Sequence, residues 1–439
     1  MANINLIRLS GLPPAARQQL LARAASELEA VEPLVREIIG QVRQRGDDAV
    51  VEYTERFDGA ALTPATMCVS PAEFAAAERA LDGELRAAIE TAIEQVRHHH
   101  RQQLGGDGWM TRTPAGAISG ERVTPIESVG LYVPRGKGSF PSVVMMLCVP
   151  AVLAGVPTVV ICTPPGPDGR VDAASLVTAR LCGVENIVKA GGAQAIAALA
   201  FGTGQVPRVR KILGPGNLYV LAAKRLVYGH VDPGPPTGPS ESIILCDARA
   251  DAQTAAVELL VEAEHGPDSA AFLVTPSAQL AGTVRELAAA LTARLPAPRR
   301  GYCESVLSTH GGIVIADDMR QALDFVNDFA PEHLRILAED PFSLLHEVRN
   351  AGEVLLGANT AIPFGNFAIG TNAILPTGGS ARSYSCTGVG DFLKRSSFAY
   401  VPDQAVQAIG AVSLALARYE GFPAHASAAE HVMKRAGVL

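Results

Sequence analysis

Apolar positions recur at two different spacings along this chain, and the spacing depends on the region. Across residues 14–104 they lie three and four positions apart, which predicts mostly helical structure. Residues 70–73 read Ser-Pro-Ala-Glu, a capping box with proline at the first helical position, so we expect a long helix to begin there. The end of the helical region carries His98, His99 and His100 between two arginines. Because consecutive residues face different directions on a helix, we interpret them as a solvated basic face.

Short runs rich in β-branched residues alternate with Ala- and Leu-rich helical runs from about residue 129 to 239, and again from about 240 to 357. Such βαβ series predict parallel sheets covered by helices on both faces, and hence an α/β fold. The predicted strands of the first series are Val129–Val133, Thr158–Cys162, Asn186–Lys189 and Lys211–Leu213. Those of the second series are Ser242–Cys246, Ala271–Val274, Gly312–Ile315, Leu334–Leu337 and Glu353–Leu356.

The C-terminal part of the chain has a different pattern. Residues 358–391 are rich in Gly, Asn, Thr and Ser, which predicts a long irregular segment, and such segments are usually functional. The last 40 or so residues again have a helical pattern.

Length, charge and cysteine usage exclude several classes of protein. A chain of 439 residues is too long for one compact core, so we expect two or three domains. A net charge of −7 argues against nucleic acid as a partner. The most apolar run, Val143–Leu153, is too short to span a membrane, and no secretory signal precedes it. The 7 cysteines include no CxxC pair, which indicates reduced thiols in a cytoplasmic protein.

Parallel sheets often bind nucleotides, yet the glycine fingerprint of a dinucleotide site is missing. Residues 136–141 contain only its first two glycines and do not form a Walker A loop. They can still lead into a helix that begins near Pro141, whose free N–H groups favour an anion. The turns at 191–194 and 214–217 follow predicted strands, at the edge where parallel sheets bind ligands. A purely structural role fits each turn alone equally well.

One predicted helix end carries two potential metal ligands. Apolar residues at 255–263 predict a helix that Gly266 and Pro267 terminate. Because residues three apart share a helix face, Glu262 and His265 point at one spot. A carboxylate and an imidazole there are suitable ligands for zinc. For this pair alone, a solvated helix face is the alternative.

Two further places carry titratable side chains. Glu332 and His333 are adjacent, and both residue types serve as general bases near neutral pH. A surface loop is the alternative for these two residues. His425 follows Glu420 in the C-terminal helical part, where a lone histidine is more often structural.

Six motifs in sequence order resemble the histidinol dehydrogenase family, over nearly the whole chain. They are Val129–Pro134, Gly191–Ala197, Gly214–Asn217, Gly238–Glu241, Ala263–Ser269 and Pro331–Leu334. The resemblance implies a zinc-dependent, NAD-linked oxidation of an alcohol to an aldehyde and then to a carboxylate. It also implies an intertwined homodimer with one zinc ion per subunit.

The fold implied by the resemblance has two incomplete Rossmann-like parallel-sheet domains with helical N- and C-terminal extensions. Residues 1–25 form the N-terminal helical extension. Residues 26–129 with 240–386 form the first Rossmann-like domain, which carries the metal and catalytic residues. Residues 130–239 form the second, which binds NAD, and residues 387–439 form a helical dimerisation segment.

The resemblance further implies roles for individual residues. The NAD-contacting positions are Tyr132, Gln194 and Asn217. The acid/base pair is Glu332 and His333, with His333 taking the alcohol proton and Glu332 activating water to attack the aldehyde. We expect a helix or loop that keeps His333 neutral to assist the first of these roles. The substrate-contacting positions are Ser240, Glu262, His265, His333, Asn366, Glu420 and His425. The metal positions are Glu262, His265, Asn366 and His425, and in this family His425 and Glu420 cross the dimer interface.

Several positions depart from the family pattern. Glu262 stands where the family has glutamine, and Asn366 where it has aspartate. The exchange keeps one negative charge among the ligands, from which we infer that the metal is retained. Ala373 replaces a histidine that helps to hold the substrate in the family. Arg135 and Lys137 also make the glycine turn unusually basic.

Three hypotheses about function stay open at this point. The leading substrate is L-histidinol, oxidised to L-histidine in histidine biosynthesis. The alternative is a paralogue that oxidises a different polar or anionic alcohol, for example a sulfonated diol. The third hypothesis is an inactive metal-binding homologue, against which the retention of the other site residues argues.

Overall fold

A computed structural model describes residues 3–21, 28–135 and 138–439. The chain divides into two compact units. The first unit comprises Met1–Gln103 and Ile126–Phe392, and the second comprises Leu104–Pro125 and Leu393–Leu439.

The strands in chain order are β1 (Leu6–Arg8), β2 (Gly108–Arg112), β3 (Ile118–Pro125), β4 (Ser128–Tyr132), β5 (Thr158–Thr163), β6 (Ile187–Lys189), β7 (Lys211–Leu213), β8 (Glu241–Cys246), β9 (Ala270–Thr275), β10 (Gly312–Ile315), β11 (His333–Leu337), β12 (Glu353–Leu356) and β13 (Leu393–Tyr400). The helices are α1 (Pro14–Leu21), α2 (Leu28–Arg45), α3 (Asp47–Asp58), α4 (Pro71–Ala80), α5 (Gly83–Arg101), α6 (Pro141–Leu153), α7 (Ala173–Leu181), α8 (Gly192–Phe201), α9 (Leu218–Leu226), α10 (Ala252–Val261), α11 (Ala278–Thr292), α12 (Arg299–Thr309), α13 (Met319–Phe329), α14 (Pro341–Leu345), α15 (Ile362–Phe367), α16 (Val406–Tyr419) and α17 (Pro423–Arg435). No helix among these described residues has the length and hydropathy that crossing a membrane requires.

A six-stranded parallel sheet lies in the first unit, in the order β1-β10-β9-β8-β11-β12. Neighbouring residues of β8 enter opposite cores, since Ile243 packs with α13 and Ile244 with α10, α11 and α12. Helices on both faces explain why β8, β9 and β11 are buried along their whole length. The chain reverses its direction of travel across the sheet between β8 and β11, which makes their boundary a topological switch point.

A second parallel sheet in the same unit has the order β6-β5-β4-β7. Helix α2 buries Val35, Ile38 and Val42 in the core of this sheet, together with α8 and α9. The domains predicted from the sequence place residues 26–129, and therefore α2, in one domain with residues 240–386. The structure instead packs α2 against α8 and α9, because these helices supply the surface that its apolar stripe needs.

All nine predicted strands are present, and each differs from its predicted bounds by at most one residue at either end. The capping box is also confirmed, because Ser70 accepts a hydrogen bond from the backbone of Glu73 and returns one to its carboxylate. The long segment after β12 is largely irregular, as predicted, apart from α15 and two short 3-10 turns.

The terminal extensions are less purely helical than expected. Residues 6–8 form the edge strand β1, which pairs with β10, so the segment 1–25 is not wholly helical. In the second unit β13 pairs with β3, and β3 with β2, in an antiparallel sheet, so the segment 387–439 is not wholly helical either. The strand β1 is too short for a periodic pattern, and β2 and β13 are largely solvent-exposed, so they lack apolar alternation.

The histidine cluster at the end of α5 is not uniformly solvated, which corrects our interpretation. His100 is fully buried, with Nδ1 at 2.9 Å from Gln103 Oε1 and Nε2 at 3.1 Å from Asn372 Nδ2. Because the amide of Asn372 must donate, Nε2 accepts and Nδ1 carries the proton. Burial lowers the pKa of His100 below the ordinary value for histidine. This neutral imidazole ties α5 to the irregular segment that follows β12.

Replacing His100 tests this assignment through the pH dependence of stability. In the unfolded chain His100 becomes protonated as the pH falls through 6.5, whereas the buried ring resists protonation. The stabilisation from His100 is therefore complete above this pH and is lost as the pH falls. We expect His100→Asn to lower the free energy of unfolding by about 1–3 kcal/mol at about pH 7.5, and by less at about pH 5.5. Urea unfolding measures both values, with the exposed His98→Asn as control. An equal loss at both pH values would contradict a neutral His100.

Candidate functional site

Polar side chains lie at the amino ends of the strands that flank the switch point. His333 opens β11, and in the sheet register it lies beside Ser242 of β8 and Glu353 of β12. Glu332 precedes it and accepts a hydrogen bond from the backbone N–H of Glu241 at 2.8 Å. Parallel sheets ordinarily bind ligands at their carboxyl ends, so a polar cluster at this edge needs a specific explanation.

The carboxyl end of α10 brings two more polar side chains to this cluster. After α10 a 3-10 turn spans Ala263–His265 and ends at Gly266, as predicted. Glu262 Oε2 lies 2.8 Å from His265 Nδ1, which in turn lies 2.9 Å from Ser240 Oγ. Glu262 and His265 therefore meet, as their helical spacing predicts. The partial negative charge of a helix carboxyl end also favours a cation here.

Glu262 is a buried, ionised carboxylate near two imidazole side chains of the cluster. It is 1% exposed, and its Oε1 lies 3.9 Å from His333 Nε2. Burial raises the pKa of Glu262, but the nearby His265 and His333 outweigh burial and lower it to about 2. The side chain is therefore a carboxylate at neutral pH, the form that a metal ligand requires.

Three buried oxygens of this cluster lack a hydrogen bond of good geometry. Both carboxylate oxygens of Glu262 and Oδ1 of Asn366 are buried without a partner that meets hydrogen-bond geometry. The approaches of His265 and Asn366 to Glu262 are close enough to stabilise its charge, but they do not satisfy that geometry. Three buried oxygens without well-formed hydrogen bonds, beside an imidazole, suit a bound cation.

The donor atoms are of the types that zinc binds, but there are too few of them for a complete zinc site. Carboxylate, amide and imidazole donors at Glu262, Asn366 and His265 are oxygen and nitrogen ligands that zinc accepts. In the part of the chain that is described, no three His, Cys, Asp or Glu side chains gather closely enough to hold a metal by themselves. A complete tetrahedral site therefore requires a further donor.

The imidazole of His333 is held by a residue that the sequence analysis missed. Its Nδ1 lies 3.1 Å from Oε2 of Glu353, and both side chains are buried. Since a carboxylate only accepts, Nδ1 carries the proton and Nε2 faces Glu262. The sequence did show Glu353 as a charged residue at the start of a predicted buried strand. Its partner could not be identified from the sequence, because the pairing with His333 depends on the sheet register.

Three carboxylates set the charge of His333. Burial lowers the pKa of His333, but Glu262, Glu353 and Glu332 outweigh it and raise the pKa to about 10. The acidic groups around His333 favour its protonated form, in contrast to the neutral form that its expected first role uses. Burial also raises the pKa of Glu332 well above that of an exposed carboxyl group.

The positions matched to NAD lie at the carboxyl edge of the four-stranded sheet. Tyr132 ends β4, and its hydroxyl accepts a hydrogen bond from the N–H of Gly192 at 3.1 Å. Gln194, in the first turn of α8, is 1% exposed, and neither atom of its amide has a partner. Asn217 caps α9 and accepts from Val220 N–H at 3.1 Å. An unsatisfied buried amide such as that of Gln194 is suited to a bound ligand.

The remaining predicted residues lie elsewhere. Glu420 and His425 belong to the second unit, where they line a groove of about 550 Å³. Ala373 follows α15, and its backbone N–H approaches the sulfur of Met146. Arg135 donates to the carbonyl of Arg170, at the edge of the four-stranded sheet. Its neighbour Lys137 in the basic turn lies outside the described residues.

Comparison with known proteins covers nearly the whole chain. The model of a family described as "Histidinol dehydrogenase" matches residues 21–433. The histidinol dehydrogenase of Synechocystis sp. is 47% identical over 423 residues, which cover 96% of this chain and 98% of the relative. A protein named "Histidinol dehydrogenase homolog" from Cereibacter sphaeroides is 48% identical over 433 residues, with 98% of each chain covered.

A solved structure gives the same result for the fold. The crystal structure of histidinol dehydrogenase from Elizabethkingia anophelis superposes with a TM-score of 0.92 at 33% sequence identity, and the match covers 98% of each chain. The chain therefore belongs to the histidinol dehydrogenase family and is an oxidoreductase of that type.

Proposed function

We propose that this protein oxidises a small polar alcohol with NAD at a zinc site, and that L-histidinol, oxidised through the aldehyde to L-histidine, is the leading substrate. The observation that carries the proposal is the set of buried oxygens of Glu262 and Asn366, which lack hydrogen bonds of good geometry and lie beside an acid/base pair. The relatives that are named histidinol dehydrogenase support the choice of substrate.

Glu262, His265 and Asn366 would hold the zinc ion in the first unit. When bound there, zinc supplies a Lewis acid for the alcohol oxygen and offsets the charge of Glu262. The carboxylate of Glu262 with the neutral amide of Asn366 gives this ligand set one negative charge. The reverse arrangement, glutamine with aspartate, has the same charge, so the exchange leaves the electrostatics of the site unchanged to first order.

His333 and Glu332 handle protons in the proposed reaction. Because Glu353 holds the proton on Nδ1, Nε2 of His333 is the atom that would take the hydroxyl proton as hydride leaves, and it can do so only after the ring has lost the Nε2 proton that its acidic neighbours favour. Glu332 has a raised pKa and is therefore a stronger base than an exposed carboxylate. It activates water for attack on the aldehyde, which sets up the second oxidation. The unpartnered amide of Gln194 is suited to hold NAD, which when bound would supply the hydride acceptor for each oxidation.

The fourth ligand in this proposal is His425 of the partner subunit, accompanied by Glu420 as a substrate contact. Three donors in the first unit leave a tetrahedral zinc site one short. His425 is exposed in the second unit, beside Leu416 and Phe422, which are 54% and 50% exposed. Such apolar exposure is typical of a surface that a second copy of the chain covers. The assembly is then a homodimer with two shared sites.

A paralogue with another polar alcohol as substrate is the second candidate. It is favoured by Ala373, whose methyl group cannot form a hydrogen bond to an imidazole-bearing substrate. The case for an anionic substrate is weaker than the sequence suggested. Arg135 contacts Arg170 at the edge of the four-stranded sheet and makes no described contact with the Glu262 cluster.

Steady-state kinetics with zinc and NAD distinguish the two candidates. We expect L-histidinol to be oxidised with about two NADH formed per molecule, because both oxidations use one acid/base pair. The variant Ala373→His should then change kcat/KM for L-histidinol by less than about threefold. A sulfonated propanediol serves as the competing substrate. If it is turned over about 100-fold more efficiently, the paralogue is correct. Absence of NADH with every alcohol, despite bound metal, would indicate the inactive homologue.

Mixed dimers test the shared site. Glu332→Gln and His425→Ala should each abolish activity alone. If His425 crosses the interface, a dimer of one chain of each kind has one intact site, so a refolded equal mixture should regain about one quarter of the wild-type activity. If both residues act within one chain, every site is defective. Absence of recovery, with dimers confirmed by light scattering, would therefore contradict the proposal.

A further inference from the structure

The short helix that carries Asn366 has few contacts that could hold it in place. Helix α15 has 6 residues, of which only Ile362 and Gly365 are buried. Its two phenylalanines are 54% and 55% exposed in the single chain, so they do not fix the helix against the core. Its N-cap residue, Ala361, has no side chain that can accept from the free N–H groups. A metal ligand on such a helix needs support from other elements.

Glu258 supplies the missing cap from helix α10. Its Oε2 accepts a hydrogen bond from the N–H of Ile362 at 3.0 Å, although 104 positions separate the two residues. Glu258 is 4% exposed, and it precedes Glu262 by about one helical turn, so both side chains project from one face. The N-terminus of α15 is therefore fixed to the helix face that presents Glu262.

Arg335 holds this carboxylate together with the segment that leads into α15. It lies in the middle of β11, its side chain is 0% exposed, and its Nε lies 3.4 Å from Oε2 of Glu258. The other two nitrogens of the guanidinium donate to the carbonyls of Gly357 and Ala358, the latter at 3.0 Å. One planar group thus joins β11, α10 and the chain that follows β12.

Stability alone does not account for this ion pair. Removing two charges from water offsets most of the attraction between them, and apolar side chains of similar size are often equally stable in such places. What Arg335 and Glu258 add is direction, because charged hydrogen bonds to named backbone atoms fix an orientation that apolar packing leaves free.

Helix α15 also lies directly against the residue that holds His333. A Cβ at Gly365 would lie 3.0 Å from both carboxylate oxygens of Glu353, so only glycine allows this approach. Because Glu353 in turn contacts His333 Nδ1, the position of α15 relates Asn366 to the acid/base pair as well as to Glu262.

We propose that Arg335 and Glu258 are positioning residues for the zinc site, and that they set the separation of Glu262 and Asn366 by clamping α15 to α10. The inference rests on the proposed zinc-dependent function. Neither residue touches the metal in this proposal, and neither is among the positions that the family resemblance matched.

The zinc affinity of the full-length protein, measured by competition with a chromophoric chelator, tests the clamp without alcohol or coenzyme. Arg335→Lys keeps a positive charge beside Glu258 but loses the planar fork that reaches two carbonyls. The double variant Glu258→Gln with Arg335→Met removes both charges and keeps an acceptor for Ile362 N–H. We expect each variant to bind zinc about tenfold more weakly. Hydrogen exchange of residues 357–367 should also become faster in the metal-free protein, whereas the melting temperature of the double variant stays close to that of the wild type.

Lys189→Met is the matched control, because Lys189 is 5% exposed and pairs with Glu73 at 2.9 Å in the four-stranded sheet. It should lower the melting temperature and leave the zinc affinity unchanged. Unchanged zinc affinity in folded Arg335→Lys and in the double variant would overturn the inference and leave the proposed function intact. Equal weakening in Lys189→Met would also overturn it, since lost stability would then be the cause. Failure of the unsubstituted protein to bind zinc would instead overturn the proposed function.

Discussion

The buried charge of Glu262 is the constraint on which the rest of the site depends. A carboxylate that is 1% exposed must be compensated, and two imidazoles and an amide approach it from three different elements. These contacts stabilise its ionised form but leave both oxygens without hydrogen bonds of good geometry. The position at the end of α10 adds a further preference for positive charge. A divalent cation would meet each of these requirements, so it explains the charge, the burial and the helix end together.

The proposed NAD site and the proposed acid/base pair lie at opposite strand ends of the two parallel sheets. In the four-stranded sheet Tyr132, Gln194 and Asn217 lie at the carboxyl edge, the ordinary place for a nucleotide. In the six-stranded sheet the acid/base pair lies at the amino edge, where the carboxyl ends of helices such as α10 are found. The first arrangement suits an anionic coenzyme, and the second suits a cation. The choice of edge therefore follows from the charge of what each sheet is proposed to bind.

Local signals in the sequence predicted the features that depend on local structure. Strands buried on both faces are continuous apolar runs, and the spacing of Glu262 and His265 follows from one helical turn. Features that depend on distant partners were missed or misinterpreted. Glu353 meets His333 only through the register of β11 with β12, and His100 is buried only because Asn372 returns to it across 272 positions. The exposed strands β2 and β13 form by pairing with β3 and carry no apolar alternation of their own.

In the proposed zinc site Glu262 carries the negative charge of the ligand set, and the amide of Asn366 carries none. The most direct measurement is the metal content of purified protein, by elemental analysis after dialysis at a fixed free zinc concentration. We expect about one zinc ion per chain in the wild type and in the double variant Glu262→Gln with Asn366→Asp, which restores the charge at the other position. Glu262→Gln alone should weaken zinc binding by about 10-fold to 100-fold. Full zinc occupancy in that single variant, or no divalent ion in the wild type, would contradict the account.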